Sequence, residues 1–123
     1  MESKLKIDAE FRRRQEHWTA EIARLAAEEG ELRQGGGAKA QARQSEQGKL
    51  AARERVAALC DPGAAFLELG LWAAHGMYAE WGGAPAAGVV TGIGTIHGRD
   101  VMVVADDATV KAGAKFPLGI KKV

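Results

Sequence analysis

The chain has 123 residues, room for one domain of ordinary size, and its core must be thin because many of its 46% apolar residues are alanines. Its 17 lysines and arginines against 16 acids leave a net charge of +1, which excludes a partner held by bulk charge, such as nucleic acid or an anionic membrane surface. Cys60 is the only cysteine, which excludes an intramolecular disulfide and a multi-cysteine zinc site and fits a reducing compartment. The opening Met1-Glu2-Ser3-Lys4 carries no apolar run of the kind a secretory signal needs. Acids at Glu2, Asp8, Glu10 and Glu16 argue against a transit peptide, and no apolar stretch is long enough to span a membrane. The chain is read as soluble and cytoplasmic.

The first predicted element is a helix over residues 8–34, part of an N-terminal segment 1–34. Phe11, Trp18, Ile22, Leu25 and Leu32 recur at helical steps and share one face. Asp8 is the expected N-cap, and Gly35-Gly36-Gly37 ends the helix. Such a long helix with one apolar stripe is expected to lie on a partner chain or on its own domain. Arg12-Arg13-Arg14 is read as a solvated face, since acids flank it. Segment 35–63 follows. Gly35-Gly36-Gly37-Ala38-Lys39 lacks the Gly-Lys-Ser/Thr of a phosphate loop and is read as a flexible break. Two short helices are expected, at 38–47 closed by Gly48 and at 51–59 with Val56 and Leu59 on the buried side. Arg53 and Arg55 around Glu54 suit either a charged surface or an ion-pair cluster. Cys60 is read as a small buried group at a helix end, and Asp61-Pro62-Gly63 as a turn.

Segment 64–123 begins with a short strand, Phe66-Leu67-Glu68-Leu69, followed by residues 70–88, which carry no regular pattern. The chain then organises itself around 88–113. Val89, Val90, Ile93 and Ile96 build one strand and 101–104 a second, with His97, Gly98, Arg99 and Asp100 as the connection. The second strand delivers a polar loop, 105–113, onto a rigid support, a usual way to place chemistry. Asp106-Asp107 reads either as an acid/base dyad or as loop-capping carboxylates. His17, His75 and His97 have no metal-ligand spacing, so no metal is assigned. A helix around Pro117 is expected in 114–123. Two adjacent strands and one short one leave unpaired sheet edges, which suggests a fragment or a module that needs a partner.

The segments GGGAKAQARQSEQGKLAARERVAALCDPGAAFLELG and GVVTGIGTIHGRDVMVVADDATVKAG resemble, in order, the beginning of the carboxyltransferase β chain of a biotin-dependent acyl-CoA carboxylase. The D-A-T-V-K form of the loop is more similar to the methylcrotonyl-CoA carboxylase branch than to the propionyl-CoA branch. The resemblance implies an α/β chain: an incomplete crotonase-like domain of ββα units, preceded by a long helix and two short ones. It implies transfer of a carboxyl group from carboxybiotin, carried on a partner α subunit, to the enolate of an acyl-CoA such as 3-methylcrotonyl-CoA. Backbone N–H groups would stabilise the enolate oxygen, and biotin would take the substrate proton. The family's Gly-Gly-Ala oxyanion loop and biotin-facing domain fall outside these residues, so no catalytic residue is assigned and the chain alone is expected to be inactive.

Carried over residue by residue, the resemblance puts Ala105, Asp106, Asp107, Ala108, Thr109, Lys111 and Gly113 on the acyl-CoA side of the site. Lys111 is either a phosphate or ribose contact, or else a surface lysine or an ion-pair partner of Asp106 or Asp107. The chain departs from the family pattern at Ala112, where a glycine is usual, and at Gly119-Ile120. Partners implied are the α subunit and further β subunits in a homo-oligomer. A related crotonase-type CoA enzyme, or a non-enzymatic module docking through its long helix, are the alternatives.

Overall fold

The computed structural model describes residues 6–123, which form two compact units, up to Gly30 and from Glu31 to Val123. In the first unit the chain is a single helix. α1 spans Ala9–Arg33, and the Asp8 carboxylate accepts the Phe11 N–H at 2.9 Å, the N-cap that the sequence predicts. Trp18, Ile22 and Leu25 are all exposed along it. Beside this stripe the helix is laced by i,i+3 and i,i+4 pairs: Arg14 with Glu10, and Arg24 with Glu21 at 3.0 Å and Glu28 at 2.5 Å.

The second unit holds α2 (Ala38–Glu46), α3 (Ala52–Leu59), β1 (Leu67–Leu69), β2 (Val89–Ile96), β3 (Arg99–Asp106) and α4 (Pro117–Lys122). The strands form one antiparallel sheet in the order β1-β2-β3. Leu67 lies opposite Ile93 and Ile93 opposite Met102; Leu69 lies opposite Thr91 and Thr91 opposite Val104. The β2–β3 connection is two residues, not four. Arg99 and Asp100 pair with Ile96 and Thr95, and the chain reverses at His97 (φ 50°) and Gly98 (φ 72°). Two successive left-handed residues match the twist of the strands, which lets the ladder run to the tip. The Asp61 carboxylate accepts both turn N–H groups, from His97 at 2.7 Å and Gly98 at 2.8 Å. Those bonds, Gly98's first, lower its pKa below the usual carboxylate value.

α3 covers one face of the sheet with Ala52, Val56 and Cys60, which meet Val90 and Val103, with Phe66, Val101 and Ala105 at the margin. The contact stripe therefore repeats every four residues. Leu59, expected on that side, falls one residue off the stripe and is 53% exposed. The strand glycines are required here: a Cβ on Gly92 would sit 2.4 Å from the Phe66 ring, and one on Gly94 2.6 Å from Cys60 Sγ. On the other face, Leu67, Leu69, Ile93, Met102 and Val104 remain exposed.

Glu68 ties three elements together. Its side chain is only 4% exposed and accepts from Arg53 at 2.6 and 3.1 Å and from Arg33 at 2.8 Å. Arg53 also donates to the Arg33 carbonyl at 2.8 Å. Of the two readings of the arginine pair, Arg53 takes the ion-pair one, while Glu54 caps the Ala51 N–H at 2.8 Å.

Residues 70–88, irregular in the sequence, fold into short 3₁₀ turns at Ala79–Trp81 and Pro85–Gly88. They pack a second cluster of Ala74, Ala84, Ala87, Val110 and Phe116, with the Tyr78 ring 4.6 Å from that of Phe116. α4 lies so close that a Cβ at Gly119 would stand 2.7 Å from the Ala87 carbonyl oxygen. The departure at 119 thus makes room for a close backbone approach. Lys122 donates to the carbonyls of Ala86 at 2.9 Å and Val89 at 2.5 Å, and burial lowers its pKa.

Candidate functional site

A cleft of about 840 Å³ opens between α2–α3 and the loop that leaves β3. Helical spacing builds its first wall. Lys39 and Arg43 are four residues apart on α2 and so share a face, and Arg55 on α3 lines the same cleft, with Lys49 between the helices. The second wall is Asp106, Asp107, Ala108, Thr109 and Ala112.

The two acids in that wall do not cancel the cations. Asp106 is ion-paired with Lys115. Asp107 is 5% exposed, and its Oδ1 accepts the Thr109 N–H at 3.0 Å and the Thr109 hydroxyl at 2.5 Å. Asp107 thus bonds within its own loop, and Asp106 to Lys115. The Asp107 N–H in turn donates to the Gly88 carbonyl at 3.0 Å, which anchors the loop at the root of β2. Thr109 Oγ1 reaches the other wall by accepting the Gly36 N–H at 2.9 Å. Close approach explains the glycines there: a Cβ on Gly36 would lie 1.8 Å from the Thr109 carbonyl oxygen, and one on Gly35 2.3 Å from Asp107 Oδ2. Gly35 and Gly36 thus form a packed junction, not a flexible break, while Gly37 has open space beside it.

Of the seven residues predicted for the site, Asp106, Asp107, Ala108 and Thr109 line the cleft. Ala105 packs behind it at the margin of the α3–sheet core. Lys111 forms neither of the ion pairs proposed for it. Its ammonium donates to the Trp81 carbonyl at 3.3 Å and lies 5.1 Å from the centre of the Trp81 ring. Lys111, Ala112 and Gly113 have φ of 49°, 53° and 84°, a left-handed run in which only the glycine is free of strain. Sequence reasoning missed Lys39, Arg43 and Arg55; the available signal was the i,i+4 spacing of two cations just after the glycine junction. Among the described residues, no group of three or more histidine, cysteine or acidic side chains is placed to hold a metal, and no helix is long and apolar enough to cross a membrane.

Comparison with known proteins matches residues 43–123 to the carboxyl transferase domain family. The biotin-dependent 3-methylcrotonyl-coenzyme A carboxylase β1 subunit of Mycobacterium tuberculosis is 50% identical over 88 residues, covering 72% of this chain and 16% of that protein. The mitochondrial methylcrotonoyl-CoA carboxylase β chain of Arabidopsis thaliana is 49% identical over 88 residues, covering 72% and 15%. This chain thus spans about a sixth of the length of the curated relatives it matches. Among solved structures, the β subunit of P. aeruginosa geranyl-CoA carboxylase superposes with a TM-score of 0.82 at 33% identity, over 99% of this chain and 23% of that one. Transcarboxylase 12S, with methylmalonyl-coenzyme A and methylmalonic acid bound, gives a TM-score of 0.74 at 34% identity, over 96% and 22%. The motifs read in the sequence, the mixed helix–sheet architecture and these matches agree: the chain belongs to the carboxyl transferase domain family and is similar to the β subunits of methylcrotonyl-CoA carboxylases.

Proposed function

We propose that this chain supplies the acyl-CoA side of a carboxyltransferase β subunit, in a biotin-dependent acyl-CoA carboxylase of the ligase class. The observation that carries the reading is the cationic wall of Lys39, Arg43 and Arg55 facing the Asp106–Thr109 loop across one cleft. The cleft's lining carries four cations, Lys39, Arg43, Lys49 and Arg55, against the two acids Asp106 and Asp107, and Asp106 is further paired with Lys115, so a positive balance is left to face an anionic ligand. Coenzyme A carries three phosphates, and fixed cations at the mouth of a cleft both attract and orient such a group. The phosphate role given to Lys111 from the sequence passes to Lys39 and Arg43, because Lys111 is held against Trp81.

The preferred acyl group in this reading is 3-methylcrotonyl, supported by the 50% and 49% identities to proteins that bear that substrate in their names. Carboxybiotin, carried by a partner α subunit, supplies the carboxyl group. The cleft's charge suits phosphates and not the uncharged ureido ring of biotin, so no residue here is assigned to biotin. Nor does any residue here act as the base: Asp107 is committed to its loop and Asp106 to Lys115. The chain's part is to bind and orient the CoA end, within an incomplete crotonase-like domain, in a cytoplasmic homo-oligomer of β subunits. By itself it is inactive. Isothermal calorimetry with coenzyme A tests the reading. The wild-type chain binds, and the double variant K39E/R43E loses at least about tenfold in affinity, the scale of charge-assisted contacts worth about 1.5–3 kcal/mol each. Equal binding by the double variant would remove the cationic wall from the site.

A further inference from the structure

We infer that Thr109 is the positioning residue that sets the width of this cleft, by latching the loop after β3 to the start of α2. The inference rests on the CoA reading above for its ligand, but its geometry stands apart from that reading. α2 begins without a side-chain cap: its N-cap is Gly37, with φ 82° and ψ 174°, and no side chain bonds to its first turn. What fixes the helix start is the residue before it. The Gly36 N–H donates to Thr109 Oγ1 at 2.9 Å, and the hydroxyl in turn donates to Asp107 Oδ1 at 2.5 Å.

The hydroxyl is thus both acceptor and donor, which only serine or threonine supplies at this position. The Thr109–Asp107 end of this chain of bonds is buried, at 8% and 5% exposed, and the Gly36 end is open to solvent, so water competes only for the Gly36 bond. Backbone contact reinforces it, since Gly36 touches the Thr109 carbonyl so closely that no Cβ fits between them. Lys39 and Arg43 follow within two turns on the helix that starts here. A small change of direction at Gly36 therefore moves both cations relative to the opposite wall, Asp106–Thr109. Thr109 lines the cleft, but its hydroxyl is committed to Gly36 and Asp107, so the latch acts on ligand affinity through these cations.

Three variants separate positioning from simple loss of fold. Thr109→Val keeps the shape and removes both bonds; Thr109→Ser keeps the hydroxyl; Lys39→Glu with Arg43→Glu removes the wall directly. The expected result is that Thr109→Val weakens coenzyme A binding about tenfold, the scale of one hydrogen bond lost from a partly buried site, while Thr109→Ser binds within about twofold of wild type. Backbone amide exchange, read in the same proteins without ligand, rises at Gly36 and through the first turn of α2 in Thr109→Val only. Wild-type affinity in Thr109→Val overturns the latch, and so does a loss in Thr109→Ser as large as that in Thr109→Val. If the wild type itself binds no coenzyme A, the functional reading falls, and the latch is judged on exchange alone: unchanged protection at Gly36 and α2 in Thr109→Val overturns it, raised exchange supports it.

Discussion

Two ion-pair arrangements, one in each unit, use the same chemistry to different effect. On α1, Arg24 sits between Glu21 and Glu28, all three on the helix surface, and the pairing raises the arginine's pKa without removing any group from water. In the sheet unit, Glu68 also meets two arginines, but its carboxylate is withdrawn from solvent and its partners come from α3 and the last turn of α1. Solvent screens the first cluster, and the helix exists with or without it. In the second, each partner compensates the burial of the other, so removing one leaves an uncompensated charge. Location, not the count of charges, decides which cluster holds structure together.

Substitutions test this contrast. Glu68→Ala has the largest expected effect, a loss of about 1.5–3 kcal/mol in urea unfolding, the range for charge-assisted hydrogen bonds, since Arg53 and Arg33 at 22% and 46% exposed still reach water. A loss below about 1 kcal/mol would place Glu68 with the surface pairs. Ala112→Gly is expected to stabilise by about 1 kcal/mol, since it relieves a left-handed alanine at φ 53°; an unchanged unfolding midpoint would mean the loop carries no such strain. Asp61 sets a pH dependence of definite sign. Its folded pKa lies below its unfolded value of about 3.8, so the stability it contributes is complete above about pH 4. That stability is lost as pH falls through the folded value. Wild type should therefore lose stability faster than Asp61→Asn on acidification below about pH 4; parallel curves would show that the turn N–H groups do not hold the carboxylate. Arg24→Ala is expected to leave the unfolding midpoint of the sheet unit unchanged, and a measurable drop would undo the comparison.

What was legible in the sequence follows from how far apart the deciding residues lie. α1 begins where Asp8 says it should, and α2 and α3 end within a residue of their predicted bounds, because caps and glycines act locally. The β2–β3 pairing was legible from its alternating β-branched residues. Leu59 was misplaced because an eight-residue helix offers too few apolar positions to fix its face, and the sheet chose Ala52, Val56 and Cys60 instead. Residues 70–88 gave no pattern, since their backbone turns on left-handed alanines and a tyrosine at 74, 78, 86 and 87, positions where propensity points elsewhere. At the site, the loop 106–109 was legible as a polar segment on a strand end. Its opposite wall was not. Gly36 meets Thr109 across 73 residues, and nothing local announces that Lys39 and Arg43 will face that loop.

The uncovered side of the sheet has a consequence for the molecule as a colloid. Leu67, Ile93 and Met102 stand in one row across three strands, with Leu69 and Val104 in the next, all open to water. The isoelectric point is near 7.9, so close to neutral pH the protein carries almost no charge to oppose contact between such faces. This apolar face, with the exposed Trp18, Ile22 and Leu25 of α1, then weighs on its solubility. Solubility should fall as added sulfate strengthens apolar association, and recover when the buffer is moved well below the isoelectric point, where like charges keep the molecules apart.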